Sequence, residues 1–499
     1  MTFGVDPNDI YHNGEWYSRN GSPLSNGGSP TSLRLIANRC AVPTAMFSFK
    51  QGMSRSSHVA ADDISALGIV LGLFYGNAGS ENTTGLSATT FTASVEFPLD
   101  TPGGAGGTYT QLTWGGASSK LYQPFDVIET DIVTLPVTIP KGAKFRIKIW
   151  QGSSGATGIL ACTGKNSART IATDTYDIDD MFRFGTTIVD QTMTAGMSAQ
   201  VYPCIVRGFK PLAIIGYTNA RSYAIIGDSR AQGWLGDNGP DRCTDGLGFV
   251  GQAERVVGPL GYAFTNLAFA SDSAVNFTLA LAPRRIGILH YVTDIYCEYG
   301  INDLAVGTDY GLNSRLYNIK KLAAAQGKSF TVSTLPPSVT GACLLADGSD
   351  QTVTANEATR LGWNYMLRSG ASCADWVVDV ASVVESKVNP GKWISGTRTV
   401  SDASATTATY VVNSATAAFT SADIGKALYM LGSGISGGFT FGIIQSVTST
   451  TATINTPIAT TVASGGTIYI GDIYTIDGLH ESMLANVAIQ NANLLRRSI

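Results

Sequence analysis

Two short apolar runs, each followed by a polar turn that contains glycine, place the strongest constraint on the fold. Residues 222–226 read Ser-Tyr-Ala-Ile-Ile and lead into Gly-Asp-Ser at 227–229, while residues 294–299 lead into Gly-Ile-Asn-Asp at 300–303. Such runs predict buried strands, and the polar residues after them lie where the strands leave the core. Ligands bind at this position in open α/β sheets. The pattern therefore predicts a sheet with a functional site at its strand ends.

Two further segments add the residue types that nucleophilic catalysis requires. Asn-Leu-Ala-Phe-Ala-Ser occupies 266–271, and Asp-Gly-Leu-His occupies 477–480. A serine hydroxyl needs a nearby base to act as a nucleophile, and histidine titrates in the right range. The base in turn needs a carboxylate that fixes its tautomer. Of the four histidines in the chain, only His480 follows a carboxylate in a turn-like context.

Each segment also has a purely structural interpretation. Asn and Asp hydrogen-bond to their own backbone, so Gly-Asp-Ser and Gly-Ile-Asn-Asp are ordinary turn sequences. Asp477 is also a suitable N-cap for the last helix. The presence of all four segments favours catalysis. We interpret Asp228 and Asp303 as turn-shaping residues and Arg230 as a solvated or substrate-edge residue.

In their order along the chain, the four segments resemble the blocks of the SGNH (GDSL-type) serine hydrolase family. The resemblance covers about residues 213–395 and 473–499. It implies an α/β/α three-layer, flavodoxin-like catalytic domain that needs no cofactor. It also implies roles for individual residues: Ser229 as nucleophile, His480 as base, Asp477 as its partner, and Asn302 with the backbone N–H groups of Ala268 and Ser229 as the oxyanion hole.

One block departs from the family pattern. Where the family has Asn-x-Gly-x-x-Gly, this chain has Ala268 in place of the first glycine and ends the block at Ser271. The oxyanion donor at this point is a backbone N–H, which alanine also carries. What has been lost is the wider backbone range of glycine.

The composition excludes several classes of function. Charged residues make up only 14% of the chain and the net charge is −4 without basic runs, so nucleic acid is not an expected partner. The usual metal-binding motifs of cysteine and histidine are missing, so no metal is expected. The longest apolar run, 66–74, is too short to span a membrane, and residues 1–16 do not resemble a signal peptide. We expect a soluble protein that acts outside a cell or is associated with a virion.

The chain divides into three predicted regions. Residues 1–212 are rich in β-formers and predict a jelly-roll-like β-sandwich, with residues 60–71 as the best helix candidate. Residues 213–395 alternate between strand and helix, which predicts a parallel sheet with helices on both faces. The predicted helices here are 249–257, 313–325 and 356–368, and the later strands are 329–335 and 376–380.

Residues 396–472 interrupt this alternation. Between Thr399 and Gly471 only three residues are charged, and short β-prone runs alternate with Gly, Ser and Thr. We predict an inserted small β-domain, which resembles the small β-modules of phage tail-fibre and tailspike proteins. Because it returns just before Asp477, it is expected at the rim of the site. There it would shape substrate access or mediate homo-oligomer contacts; the alternative is a decorative insertion.

These features together predict an esterase that removes acetyl or similar acyl groups from a polysaccharide. An acylated glycan or a small ester is the expected partner. Tryptophans are candidates for stacking on sugars: Trp114, Trp150, Trp234, Trp363 and Trp393. Two alternatives stay open, namely a non-catalytic, virion-associated glycan-binding or structural protein, and a lipase or thioesterase with the same machinery.

Overall fold

The computed structural model describes residues 10–12, 15–17, 32–99, 107–155, 158–163, 181–195, 206–233, 249–345, 347–434 and 438–495. Trp234 lies outside these ranges. Among the described residues, none of the helices combines the length and the apolar character that crossing a membrane requires.

The N-terminal region is built of short strands, as its alternating β-formers predict. In chain order they are β1 (Ile10–His12), β2 (Glu15–Tyr17), β3 (Leu33–Leu35), β4 (Cys40–Ala41), β5 (Ala45–Phe47), β6 (Gln51–Val59), β7 (Ile64–Gly72), β8 (Tyr75–Asn77), β9 (Ser80–Asn82), β10 (Thr89–Glu96), β11 (Tyr109–Leu112), β12 (Ser119–Tyr122), β13 (Val127–Glu129), β14 (Val133–Ile139), β15 (Lys144–Ser153), β16 (Ile159–Thr163), β17 (Met181–Gly185), β18 (Val206–Arg207) and β19 (Ala213–Tyr217).

The helix predicted for residues 60–71 is wrong. Most of this segment is β7, which is buried over nearly its whole length and pairs with β13, β14 and β19. A continuous apolar run does not distinguish a buried strand from a buried helix.

Two antiparallel sheets form most of this region. One has the order β11-β10-β15-β6-β17, with β12 also paired to β10, and the other has the order β13-β7-β19-β3, with β14 also paired to β7. Ile147 and Ile149 of the first sheet share one core with Leu67 and Ile69 of the second. The jelly-roll connectivity stays a prediction.

The next region alternates between strands and helices, as predicted. Its elements are β20 (Ser222–Ile226), α1 (Gly251–Val257), β21 (Ala263–Asn266), α2 (Pro283–Ile288), β22 (Asp294–Cys297), α3 (Asp309–Ala325), β23 (Ser329–Ser333), β24 (Val339–Gly341), β25 (Gln351–Val353), α4 (Glu357–Arg368), β26 (Trp376–Val378) and α5 (Ala381–Val384).

The predicted parallel sheet is confirmed. Its order is β26-β23-β22-β20-β21-β4, and every neighbouring pair is parallel. The chain order reverses at β20, because the next strand, β21, lies on one side of it and the following strand, β22, lies on the other. Such a reversal opens a crevice at the carboxyl ends of the strands.

The edge strand of this sheet was not foreseen. It is β4 of the N-terminal region, while β19, which falls within residues 213–395, pairs instead with β7 and β3. The N-terminal and central regions therefore interlock on both sides of the predicted boundary at residue 212.

Helices cover both faces of the parallel sheet. Along β20, Ala224 and Ile226 join a core that includes Leu316 of α3, whereas Tyr223 and Ile225 join a core that includes Ala253 of α1. This follows because successive side chains of a strand point to opposite faces.

The inserted region is a closed barrel of six strands. They are β27 (Ser395–Ala405), β28 (Val411–Asn413), β29 (Ala427–Leu431), β30 (Phe439–Val447), β31 (Thr451–Ile454) and β32 (Val462–Ile473), followed by α6 (Met483–Asn491). The barrel has its own apolar core, which includes Val412, Leu428 and Ile468. Because Ser395 pairs with Ile473, the chain enters and leaves the barrel side by side.

Candidate active site

Ser229 lies in a tight turn directly after β20. Gln232 N–H donates to Asp228 O at 3.0 Å, and Arg230 N–H donates to the Asp228 carboxylate at 3.0 Å. Ala231 N–H donates to the Glu298 carboxylate at 3.1 Å, which ties the turn to the end of β22. These bonds hold the serine at the carboxyl end of the central strand, where the sequence placed it.

His480 lies in a second turn that is anchored by its own carboxylate. Asp477 Oδ1 accepts hydrogen bonds from the N–H groups of Leu479, at 2.9 Å, and His480, at 2.8 Å. Gly478, which lies between Asp477 and Leu479, adopts φ +78°, and a Cβ there would lie 2.2 Å from Val339 O. Both the backbone conformation and the space thus require glycine.

The structure brings Ser229, His480 and Asp477 into one hydrogen-bonded chain. His480 Nε2 lies 2.8 Å from Ser229 Oγ, and His480 Nδ1 lies 2.7 Å from Asp477 Oδ2. Ser229 and His480 are 251 positions apart in the sequence. Their exposed fractions are 8% and 7%, so the pair is shielded from bulk water but still reached from the surface.

The contacts of Asp477 keep its carboxyl group ionised beside His480. Burial raises the pKa of Asp477, but the hydrogen bond and charge of His480 outweigh it and lower that pKa to about 2. The carboxylate is therefore ionised at neutral pH and accepts a hydrogen bond from His480 Nδ1–H. This leaves the Nε2 lone pair directed at the serine hydroxyl.

The three predicted oxyanion donors differ in their surroundings. Asn302 donates one amide hydrogen to Asp272 O at 2.7 Å, which leaves its second amide hydrogen for another acceptor. The Ala268 N–H donates to Asn266 Oδ1 at 3.1 Å, so in this conformation it is already engaged. The Ser229 N–H donates to no acceptor within the described ranges. The oxyanion roles stay predictions.

Within residues 266–271, the left-handed backbone conformation occurs at the last position of the block. Among the described residues, Ala268 is not one of those with positive φ, whereas Ser271 has φ +61°. Alanine therefore replaces the first glycine of the motif without strain. The left-handed conformation falls on Ser271, where it costs roughly 1–2 kcal/mol in a residue with a side chain.

Our interpretation of Arg230 as a solvated or substrate-edge residue is wrong. Its exposed fraction is 1%, and its guanidinium bonds to Glu481, with Nε to Oε1 at 3.1 Å. Glu298, buried at the end of β22, lies 3.5 Å from Arg230 Nε. The sequence reasoning missed both glutamates. The available signal was Glu298 itself, an ionisable residue within a run predicted to be buried.

Asp303 and the tryptophans have structural contacts. Asp303 accepts from Ala274 N–H at 2.9 Å and from Arg315 at 2.9 Å, in keeping with a turn-shaping role. The stacking role expected for Trp363 and Trp393 is wrong, because both are fully buried. Trp393 instead donates to Gly478 O at 3.0 Å and so supports the histidine turn.

A polar pocket lies beside the same strand ends, where the N-terminal and central regions meet. Asn266 and Ala268 line it from the end of β21, and Gln232 lines it from the serine turn. Arg39 and Lys210 line it from the N-terminal region. The N-terminal region thus contributes side chains to the surroundings of residues 266–271.

No protein family and no curated protein matches the sequence. Solved structures similar to part of the chain include a G-D-S-L lipolytic protein and two esterases. A member of the lipolytic G-D-S-L family from Veillonella parvula is 16% identical and covers 34% of this chain and 90% of its own, with a TM-score of 0.23. An acetylxylan esterase from Geobacillus stearothermophilus is 15% identical over 33% of this chain and 77% of its own, with a TM-score of 0.23. The aryl esterase of M. smegmatis is 12% identical over 34% of this chain and 89% of its own, with a TM-score of 0.23. We argue the function from the site itself.

Proposed function

We propose that this chain is a serine esterase that hydrolyses acyl esters. The observation that carries the proposal is the continuous hydrogen-bonded chain from Asp477 through His480 to Ser229. A buried serine, a base and an ionised carboxylate in this order constitute an activated nucleophile.

In the proposed reaction, Ser229 Oγ attacks the ester carbonyl carbon while its proton moves to His480 Nε2. Asp477 stabilises the imidazolium that forms. As the tetrahedral intermediate collapses, the bond to the alcohol oxygen breaks and His480 returns the proton to that oxygen. Water then attacks the acyl-serine with His480 again as base, which releases the acid and the free serine. Asn302 and the Ser229 N–H are the proposed donors to the oxyanion.

We further propose that the acyl group is acetyl and that the alcohol belongs to a glycan with little charge. The choice of a glycan is supported by the barrel, whose last strand ends at Ile473 shortly before Asp477, because only Asp402, Asp423 and Lys426 are charged between Thr399 and Gly471. Phe439 is exposed and stacks on Tyr429 with ring centroids 4.4 Å apart. A flat aromatic face of this kind suits an uncharged sugar ring better than a charged ligand.

The test is hydrolysis of an aryl acetate by the wild type and by Ser229→Ala. Loss of a triad nucleophile lowers kcat by several orders of magnitude. A folded variant that keeps more than about a tenth of the wild-type kcat, a loss below ~1.4 kcal/mol, would contradict the proposal. In the same assay, Asn302→Ala should lower kcat by ~10²–10³ with little change in KM.

The acyl and alcohol specificity needs a separate measurement. Aryl esters of increasing chain length, run beside acetylated glycans, distinguish a deacetylase from a lipase or thioesterase. A preference for long acyl chains would overturn the acetyl assignment and leave the serine mechanism standing. Absence of any hydrolysis, with no labelling of Ser229 by a serine-reactive phosphonate, would favour the non-catalytic, glycan-binding alternative.

A further inference from the structure

Four ionisable residues are buried together next to the Ser229–His480 pair. They are Asp228, Arg230, Glu298 and Glu481. Arg230 contacts two of them, since its guanidinium bonds to Glu481 Oε1, with Nε at 3.1 Å, and lies 3.5 Å from Glu298 Oε1. Asp228 and Glu298 both accept backbone hydrogen bonds from the serine turn, from Arg230 N–H at 3.0 Å and from Ala231 N–H at 3.1 Å. All four side chains are buried. The proposed reaction uses none of their functional groups.

Burial within this cluster shifts the pKa values of Asp228 and Glu298. Burial raises the pKa of Asp228 to about 7, and burial with the nearby Asp228 raises the pKa of Glu298 well above its usual range. Both shifts favour the uncharged form of the carboxyl group. Asp228 Oδ2 and Glu298 Oε1 have no hydrogen-bond partner within the described ranges. Arg230 and Glu481 form the buried ion pair of this cluster.

This ion pair lies next to the catalytic contact along both segments of the chain. Arg230 follows Ser229 directly, and Glu481 follows His480 directly. The two turns come from segments separated by 251 positions, and the barrel is inserted just before the second one. A bond between the residues that follow Ser229 and His480 therefore sets the separation of the two turns.

We propose that Arg230 and Glu481 are positioning residues, whose ion pair holds the histidine turn against the serine turn so that Ser229 Oγ and His480 Nε2 stay at hydrogen-bond distance. This inference rests on the proposed function. It differs from a purely stabilising role, because replacing a buried ion pair by apolar residues of similar volume is often neutral or stabilising for the fold. Loss of a positioning pair would lower kcat even where the free energy of unfolding does not change.

The test replaces the pair by apolar side chains in the double variant Arg230→Met/Glu481→Leu of the full chain. We expect a cooperative melt close to that of the wild type. For an aryl acetate we expect kcat to fall ~10–100-fold, because misplacement by about 1 Å is enough for such a loss. KM should stay within about twofold, since both side chains are almost completely buried. Labelling of Ser229 by a phosphonate should slow by a similar factor.

A matched control is the ion pair at the amino ends of β20 and β22. Arg221 bonds to Asp294 at 2.7 Å and 2.9 Å, also with little exposure. The double variant Arg221→Met/Asp294→Leu removes a pair of the same chemistry away from the strand ends that carry Ser229. We expect its kcat to stay within about twofold of the wild type, which separates positioning from a general effect of losing a buried charge pair.

The outcomes distinguish this inference from the proposed function. A folded Arg230→Met/Glu481→Leu variant with wild-type kcat and labelling rate overturns the positioning role and leaves the esterase proposal intact. If that variant does not fold, Glu481→Gln keeps the shape of the side chain and is measured instead. An unchanged kcat there overturns the inference equally, and a loss in kcat alone supports it. A wild type without hydrolysis or Ser229 labelling overturns both proposals.

Discussion

The N-terminal region and the inserted barrel are both β-rich, yet they join the parallel sheet in opposite ways. The N-terminal region supplies the edge strand β4, and Leu35 and Ile69 lie in the same core as Ile226 of β20. The barrel closes on itself around a separate core and meets the rest of the protein through a small cluster that includes Ala427 and Met483.

The difference lies in how each region treats its strand edges. A sheet edge presents unpaired N–H and C=O groups, and β21 would have such an edge without β4. A closed barrel has no edge to complete. Similar composition therefore produces one region that is part of the central fold and another that is attached to it.

Polar contacts strengthen the first of these connections. Glu81 Oε1 accepts from Arg285 N–H at 2.9 Å, and the Arg285 guanidinium bonds to Asp272 at 2.7 Å. The backbone carbonyl of Asp272 in turn holds Asn302. A chain of contacts thus runs from the N-terminal region to a proposed oxyanion donor.

The largest effect should follow removal of the N-terminal region. Deleting residues 1–217 uncovers the edge of β21 and the shared core, so we expect no cooperative unfolding transition and no ester hydrolysis. Thermal melting followed by circular dichroism measures this. A truncated chain that melts cooperatively and hydrolyses an aryl acetate would show that the two regions are separable.

Removal of the barrel should be tolerated by the fold. Arg398 pairs with Ile470, so a short Gly/Ser linker can replace residues 399–470 without moving the ends. We expect a cooperative melt at a moderately lower temperature, because Met483 loses Ala427 as a neighbour. Hydrolysis of an aryl acetate should persist while activity on an acetylated polysaccharide falls, since remote contacts supply binding energy.

The control for this replacement is the full chain measured on both substrates under the same conditions. Equal ratios of the two activities in both proteins would mean that the barrel has no role in substrate selection. It would then be better interpreted as an assembly or decorative module.

A matched pair of glycine substitutions compares the two connections directly. Gly79 has φ +80°, and a Cβ there would lie 2.9 Å from Asp272 Cα; Gly425 in the barrel has φ +86° with nothing within 4 Å. Both alanine variants carry the left-handed cost of ~1–2 kcal/mol. Gly79→Ala should lose ~1–3 kcal/mol more from overpacking.

Turnover should separate the same two variants. Gly79→Ala displaces the loop whose Asp272 carbonyl holds Asn302, so we expect a lower kcat, whereas Gly425→Ala should keep the wild-type kcat. Denaturant unfolding and aryl acetate kinetics provide the two measurements. Equal losses of stability and equal kcat values for Gly79→Ala and Gly425→Ala would contradict the tight contact between Gly79 and the loop that contains Asp272.

The smallest effects concern the pH dependence of the free energy of unfolding. Its sign should differ between Asp228 in the central region and Asp423 in the barrel. The folded-state pKa of Asp228 is about 7, above the unfolded value of about 3.9, so the free energy of unfolding should fall as pH rises across this window. Asp228→Asn should flatten that slope by at least ~1 kcal/mol between pH 4 and 8.

In the barrel the sign is reversed. Burial raises the pKa of Asp423, but the Arg398 hydrogen bond and charge outweigh it and lower that pKa. Its contribution is therefore present at neutral pH and lost as pH falls below the ordinary aspartate range. Asp423→Asn should cost less than about 1 kcal/mol at pH 7, because the pair is partly exposed. Denaturant unfolding at several pH values checks both variants.

Some features of this protein are readable from the sequence because they depend on local patterns. The apolar run before Gly-Asp-Ser predicted β20, and the helical spacing in residues 313–325 predicted most of α3. The Asp-Gly-Leu-His turn predicted the contact between Asp477 and His480, since residues three apart in a turn lie close together. The sparse charge and frequent turn residues after Thr399 predicted a separate β-domain.

Other features depend on contacts between distant segments, which no local pattern contains. Residues 64–72 were predicted as part of a helix and form a buried strand, because pairing with β13, β14 and β19 decides the conformation. Whether β4 would join the parallel sheet depends on the edge that β21 offers. Arg230 is buried because Glu481, 251 positions away, neutralises it there. The sequence by itself determined the strands that lead into the candidate site and the polar turns that follow them; only the tertiary structure decided the conformation of residues 64–72, which edges are covered and which charges are paired, since burial is a property of the whole chain.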